Sequence, residues 1–185
     1  MILYVVIGIA VLIVLWAIMT YNGLVSRRAM VAEGWSGIDA QLKRRADLIP
    51  NLVETVKGYA THERTTFDEL AAMRSGAGTT SQDPAQRAAA ETAITAAIGK
   101  VMAVAEAYPE LKASANFQDL QKDLADIEDQ IQMARRYYNG AVRNLNVSVQ
   151  QFPSNIVAGM TGFQPAQFFQ IDNAADRNAP KVSFG

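Results

Sequence analysis

Five carboxylates crowd one stretch of the chain: Asp119, Asp123, Asp126, Glu128 and Asp129. Acids at that density are the oxygen donors a hard divalent cation takes. A di-iron centre in a helical bundle needs Glu-x-x-His pairs on facing helices, and His62 is the single histidine. That leaves a carboxylate-only Mg²⁺ or Ca²⁺ site to set against the plainer reading of a solvated helix face. The plainer reading is preferred, and neither a metal nor a cofactor is expected. His62, beside Glu63, reads as an ordinary, partly exposed histidine. With one histidine and no G-x-S-x-G, a hydrolytic triad has no support. Cysteine is absent, which removes thiolate nucleophiles, thiolate metal sites and disulfides together. Gly76 and Gly78 lack the following lysine and the strand–helix context of a phosphate loop.

Two basic clusters remain. Arg135–Arg136–Tyr137–Tyr138–Asn139 mixes cations with rings, as single-strand nucleic-acid binders do. Seventeen basic and eighteen acidic side chains leave a net charge of −1, however, so no bulk field draws a polyanion and no nucleic-acid partner is expected. Arg45 is the more informative cation, because it falls between Leu42 and Ile49 on an apolar helical seam. A charge there must be paired, snorkel outward or face an interface. An ion pair with Asp126 or Glu128 is the expectation; contact of Arg44 or Arg45 with a neighbouring subunit or a lipid phosphate is the functional version. Arg44, Arg45, Asp47, Arg135 and Arg136 are therefore the candidate interaction and ion-pair residues.

The elements that position these groups begin with the amino terminus, where no charged side chain precedes Arg27. Ile2 to Tyr21 is almost wholly apolar, and twenty helical residues span roughly 30 Å, the thickness of a bilayer's hydrocarbon core. Ile2, Tyr4, Trp16 and Tyr21 mark the expected anchor, its rings lying towards the ends where headgroups favour them. A cleaved signal peptide would need a basic n-region, a shorter run and a small-residue cleavage site, and Thr20–Tyr21–Asn22 is a poor one. Arg27, Arg28 and then Lys43, Arg44 and Arg45 follow the run, so the positive-inside rule favours an outward amino terminus and a cytoplasmic domain. A periplasmic domain stays open.

Helical periodicity governs the remainder. Trp35, Ile38, Leu42, Arg45, Ile49, Leu52, Val56 and Tyr59 step by three and four, and Phe67, Leu70 and Met73 extend the seam to a stop near Arg74. Pro50 must kink this first helix or break it in two; the absence of turn residues around it favours the kink. After the polar loop at 75–81, Asp83 and Pro84 open a second helix with Ile94, Ile98, Val101, Ala105 and Tyr108 inward. Pro109 is expected to end it. Asn116 is expected to cap a third, on which Phe117, Leu120, Leu124, Ile127, Ile131, Ala134, Tyr138, Ala141 and Leu145 alternate strictly. Beyond Pro153 a helical turn holds Ile156, Val157 and Met160, and from Gly162 the tail is irregular. Phe168, Phe169, Val182 and Phe184 are its candidate anchors, for a groove of the same chain or another surface. The fold class is all-α: a single transmembrane helix at 1–24, an elongated antiparallel bundle of three to four long helices at 25–162, and an extended tail at 163–185.

Several segments together resemble the LemA family. They are Tyr21–Asn22–Gly23–Leu24–Val25, Trp35 to Leu42, Lys43 to Val53, Tyr59 to Glu63, Tyr108 to Ala113, Arg135 to Asn139, Phe152–Pro153–Ser154–Asn155, and the closing Pro180 to Phe184 with Ser183 where an acid is usual. The resemblance covers nearly the whole chain. It implies a single-pass bacterial inner-membrane protein carrying an antiparallel bundle, with no enzymatic activity attached. One relative takes part in building magnetosome membranes, and LemA-like genes often neighbour membrane proteases.

The expected function is accordingly contact without chemistry, by a non-catalytic scaffold that self-associates at the bilayer. Its expected partners are the lipid bilayer and further copies of itself. The alternative is an accessory factor for a membrane protease or transporter.

Overall fold

The computed structural model describes residues 1–59, 68–72 and 83–170. His62, Glu63, Phe67, Met73, Gly76, Gly78, Val182 and Phe184 lie outside the described residues. Within them the chain is all-α: an apolar amino-terminal helix and a helical bundle, with no strand.

Helix α1, Ile2–Lys57, is one element of 56 residues that contains both the apolar run and the first seam, and it includes Pro50. It stops at Lys57 rather than near Arg74. Gly58 is costly in a helix because its backbone loses the most freedom there. Just past it the bonding shortens from Gly58 N–H donating to the Glu54 carbonyl at 3.3 Å to Tyr59 N–H donating to the Val56 carbonyl at 3.0 Å. Residues 68–72 are helical.

Helix α2, Pro84–Glu106, begins as the sequence suggests. Asp83 is its N-cap, accepting from the Ala85 N–H at 3.0 Å, with proline at the first helical position. Pro109 does not simply end it. A tertiary amide is also tolerated at a first helical position, and Pro109 opens the four-residue α3, Pro109–Lys112. Helix α4, Ala115–Gln150, starts a residue before Asn116, and the Ser114 hydroxyl accepts from the Phe117 N–H at 3.4 Å. Helix α5, Ser154–Thr161, holds Ile156, Val157 and Met160. Gly162 closes it at φ +73°, a left-handed geometry that costs glycine nothing, so the Phe163 N–H reaches back to the Ala158 carbonyl at 3.0 Å.

By its contacts the chain divides into two compact units, 1–44 with 125–168, and 45–124 with 169–185. In the first, α1 and α4 lie antiparallel. Glu33 and Trp35 meet Tyr137 and Tyr138, while Arg44, farther along α1, meets Gln130, earlier on α4. The helices approach closely at Gly34, where an added Cβ would stand 3.0 Å from the Tyr138 Cα. Leu24, Leu145, Val157, Ala158 and Phe163 form a core at the other end, with Ala17 and Val25 packed on it.

The second unit is built on Ile49, Leu52, Val56, Leu70, Ile94, Val101, Leu111 and Phe117, all buried. Burying each such side chain contributes roughly 1.5–3 kcal/mol. Apart from Tyr59, which is exposed, the seam positions on described residues are buried or half-buried.

Candidate functional site

Arg45 lies within the second unit, 3% exposed, and its carboxylate partner is Glu91 of α2, also 3% exposed. The expectation of Asp126 or Glu128 is thus corrected to an acid on α2. The local sequence explains the choice. Arg87, Glu91 and Thr95 step by four along α2 and share a face. Arg45 Nη2 binds Glu91 Oε2, and Arg45 Nη1 donates to Thr95 Oγ1 at 2.9 Å. The Thr95 hydroxyl donates to the Glu91 carbonyl at 3.1 Å. Arg87 Nε stands 3.2 Å from Glu91 Oε1. Two guanidiniums therefore flank one carboxylate among apolar side chains. Such a buried group of charges positions helices, because each ion out of water needs its partner held in place.

The other candidate cations are peripheral. Exposed Arg44 donates to Gln130 at 3.1 Å and to Gln41 at 3.4 Å, and Asp47 is exposed. Arg135 donates to Gln132 at 2.9 Å. Burial holds its basicity below the ordinary arginine value, partly countered by Glu128. Arg136 is exposed, and both line a shallow groove of about 300 Å³ with Asn139 and Arg143. Glu54, Asp119 and Asp123 line another, of about 440 Å³. Among the described residues no cluster of three or more acids or histidines is placed to hold a metal ion.

The tyrosines of α4 tie the first unit together. Tyr137 donates to Glu33 at 3.1 Å, and that bond to a carboxylate, followed by burial and the charge itself, raises its pKa. Tyr138 is buried, which also raises its pKa. Its ring centroid is 5.6 Å from that of Trp35, and its hydroxyl donates to the Gln167 carbonyl at 2.9 Å.

The described part of the tail docks on its own chain. Asn146 donates to the Ala166 carbonyl at 2.9 Å and accepts from the Ala166 N–H at 2.8 Å. Phe163 meets Tyr21 edge-on at 5.9 Å, with the Arg28 guanidinium 4.9 Å from its ring centroid. Phe169 is fully buried and Phe168 is exposed. Sequence reasoning passed over Glu91, Arg87 and Asn146. Only the four-residue spacing on α2 carried a signal.

The anchor residues present the opposite picture. Every side chain from Ile2 to Trp16 is exposed, Tyr4 included, and Tyr21 is exposed beside Phe163. Two helices, α1 and α2, are long and apolar enough to cross a membrane by length and composition. Helix α2 is a core helix, since Ile94, Ala97 and Val101 pack in the second unit. Among the described residues the apolar start of α1 has no such protein partner.

An all-helical bundle led by an exposed apolar helix fits the class of membrane-associated helical proteins. The LemA family model matches residues 34–184, and the chain belongs to the LemA family. It is similar to magnetosome protein MamQ 2 of Paramagnetospirillum magneticum, 26% identical over 184 residues, covering 86% of this chain and 68% of the relative. Protein LemA of Metamycoplasma hominis is 25% identical over 149 residues, covering 80% of this chain and 68% of the relative.

Proposed function

We propose that residues 2–21 anchor the chain in a bacterial membrane, and that the chain acts there without catalysis as a scaffold whose copies associate in the plane of the bilayer. The amino terminus lies outside and the helical units face the cytoplasm. The supporting observation is the unbroken exposure of Ile2 to Trp16: about fifteen apolar side chains in a row have no place in water, whereas a bilayer covers them all. The magnetosome MamQ relatives support a part in organising membrane. The Arg45–Glu91–Arg87 group supports a rigid scaffold, being closed to substrate. Copies confined to one bilayer meet at high effective concentration, so weak lateral contacts suffice.

The test is the copy number of the full-length chain in nanodiscs of bacterial lipid, read by single-particle mass. A natural chain without cysteine also allows one cysteine placed at exposed Met133 to report lateral contact by cross-linking. Discrete species of more than one copy, cross-linked in membranes, are expected. Single copies at every protein-to-lipid ratio, with no cross-link, would overturn the scaffold reading.

A further inference from the structure

An open groove of about 640 Å³ runs between α1 and the last turns of α4, wholly within the first unit. Gly23, Ser26 and Arg27 line one side, and Arg143, Asn144 and Gln151 the other. Two guanidiniums, two amides and the hydroxyls of Ser26 and Ser148 thus surround one concavity beside Met30 and Val147, and no carboxylate lines it. Among the described residues neither Arg27 nor Arg143 makes an ion pair, and both are exposed. The set is cationic, rich in donors and short of an anion. Planar guanidiniums suit a phosphate, whose oxygens accept two parallel N–H bonds.

The position of the groove identifies the source of that phosphate. The apolar run ends at Tyr21, and at about 1.5 Å per residue Gly23 stands roughly 3 Å beyond it and Arg27 roughly 9 Å. The headgroup layer on each side of a bilayer is about 5–8 Å deep. Arg27 folds back towards it: its Nη1 lies 3.0 Å from where a Cβ on Gly23 would stand, one helical turn nearer the apolar run. Arg28, by contrast, is engaged over the Phe163 ring.

The flank of the groove carries apolar side chains at the same level. Phe152, next to Gln151, is 74% exposed, and Ile156 and Met160, one turn apart on α5, are 51% and 84% exposed. The opposite face of α5 packs through Val157 and Ala158 into the cluster that includes Ala17 and Leu24. A cationic groove with an apolar rim, beside the point where the anchor leaves the hydrocarbon, matches the two halves of one lipid.

We infer that this groove binds the headgroup of an anionic phospholipid from the leaflet in which α1 emerges, Arg27 and Arg143 holding the phosphate while Phe152, Ile156 and Met160 lie against the upper acyl chains. This site deepens the anchored reading and rests on it. It gives the protein a preference among lipids that an apolar helix alone does not supply.

The experiment uses the full-length chain in mild detergent, titrated with dioctanoyl phosphatidylglycerol, dioctanoyl phosphatidylcholine or glycerol 3-phosphate, with bound molecules counted by native mass spectrometry. One saturable phosphatidylglycerol site is expected, with phosphatidylcholine markedly weaker and glycerol 3-phosphate unable to compete at the same concentration. One basic residue at an anionic surface is worth about a five-fold change in affinity. R27Q or R143Q alone therefore weakens binding about five-fold, and the pair about thirty-fold. G23A keeps both charges but displaces the Arg27 guanidinium, and weakens binding while leaving helicity unchanged. K112Q/K122Q removes two exposed charges elsewhere and leaves binding as it was.

Equal binding of the two lipids, undiminished binding in R27Q/R143Q, or equal loss in K112Q/K122Q would overturn the assignment. Competition by glycerol 3-phosphate would reassign the groove to a soluble phosphate and overturn it too. Carbonate extraction of the same variants separates the two readings. Release of the natural chain from membranes refutes the anchor, whereas retention of every variant with no change in lipid binding refutes the groove alone.

Discussion

Removing Glu91 is the perturbation that most directly examines how the second unit holds its register. In Glu91→Ala the Arg45 and Arg87 guanidiniums, 3% and 8% exposed, lose the carboxylate they share. Breaking a buried pair by deleting one partner costs about 3–5 kcal/mol, because the remaining charge is left uncompensated in a poorly polarisable surrounding. Two cations share that carboxylate here, so a cost within that range is expected. Arg45→Ala leaves Glu91 with Arg87 and should cost about 3 kcal/mol. Arg87→Ala keeps the Arg45–Glu91 contact and the Thr95 bridge, and should cost less again.

Replacing all three by apolar residues of similar volume, R45M/R87M/E91L, should recover most of the loss, since a packed apolar set needs no desolvated charge. The assay is urea unfolding of the full chain in mild detergent, followed by far-ultraviolet circular dichroism, with the single and double variants forming a cycle. Urea is used because guanidinium would screen the charges in question. A Glu91→Ala cost under about 1 kcal/mol, the level of an exposed ion pair, would refute the reasoning. So would a triple variant less stable than Glu91→Ala.

Other consequences follow from the first unit. Gly34→Ala forces a Cβ to 3.0 Å from the Tyr138 Cα and should cost about 1–3 kcal/mol in the same unfolding assay. Gly37→Ala, which meets nothing within 4 Å, should add up to about 1 kcal/mol through helix propensity. The raised pKa values of Tyr137 and Tyr138 mean the folded chain keeps these protons when the unfolded chain has lost them. Stability from this source is complete below the ordinary tyrosine pKa of about 10 and falls as pH rises past it; Y137F/Y138F should flatten that alkaline decline in a thermal-melt series. Asn146→Ala removes both bonds to Ala166 and should speed amide hydrogen exchange at residue 166 by about ten-fold or more.

Much of this architecture was legible because it is periodic. The apolar run, the α1 and α4 seams and the Asp83–Pro84 helix start each rest on a local rule that the structure obeys. The α1 seam overran its helix because hydrophobic spacing carries no penalty for Gly58, and a backbone turn at that glycine is decided locally. Arg45 could be recognised as a charge in an apolar seam, but its partner could not. Arg87 and Glu91, four apart on an alanine-rich helix, have the spacing of an ordinary surface pair. The tail was the least legible part. Its docking depends on the Asn146 side chain bonding the backbone of Ala166, and no pattern in residues 163–170 announces that contact. The groove beside Gly23 was hidden for a similar reason, since Arg27 and Arg143 are far apart in sequence and meet only through the antiparallel pairing of α1 and α4.

The central claim is that the exposed apolar start of α1 stays in the chain and resides in a bilayer. Intact-mass analysis of the protein from carbonate-washed membranes of the native cell tests it most directly. The account predicts a chain that retains residues 2–21 in the membrane pellet, with that segment shielded from added protease. A chain recovered from the soluble fraction and starting after Tyr21 would contradict it.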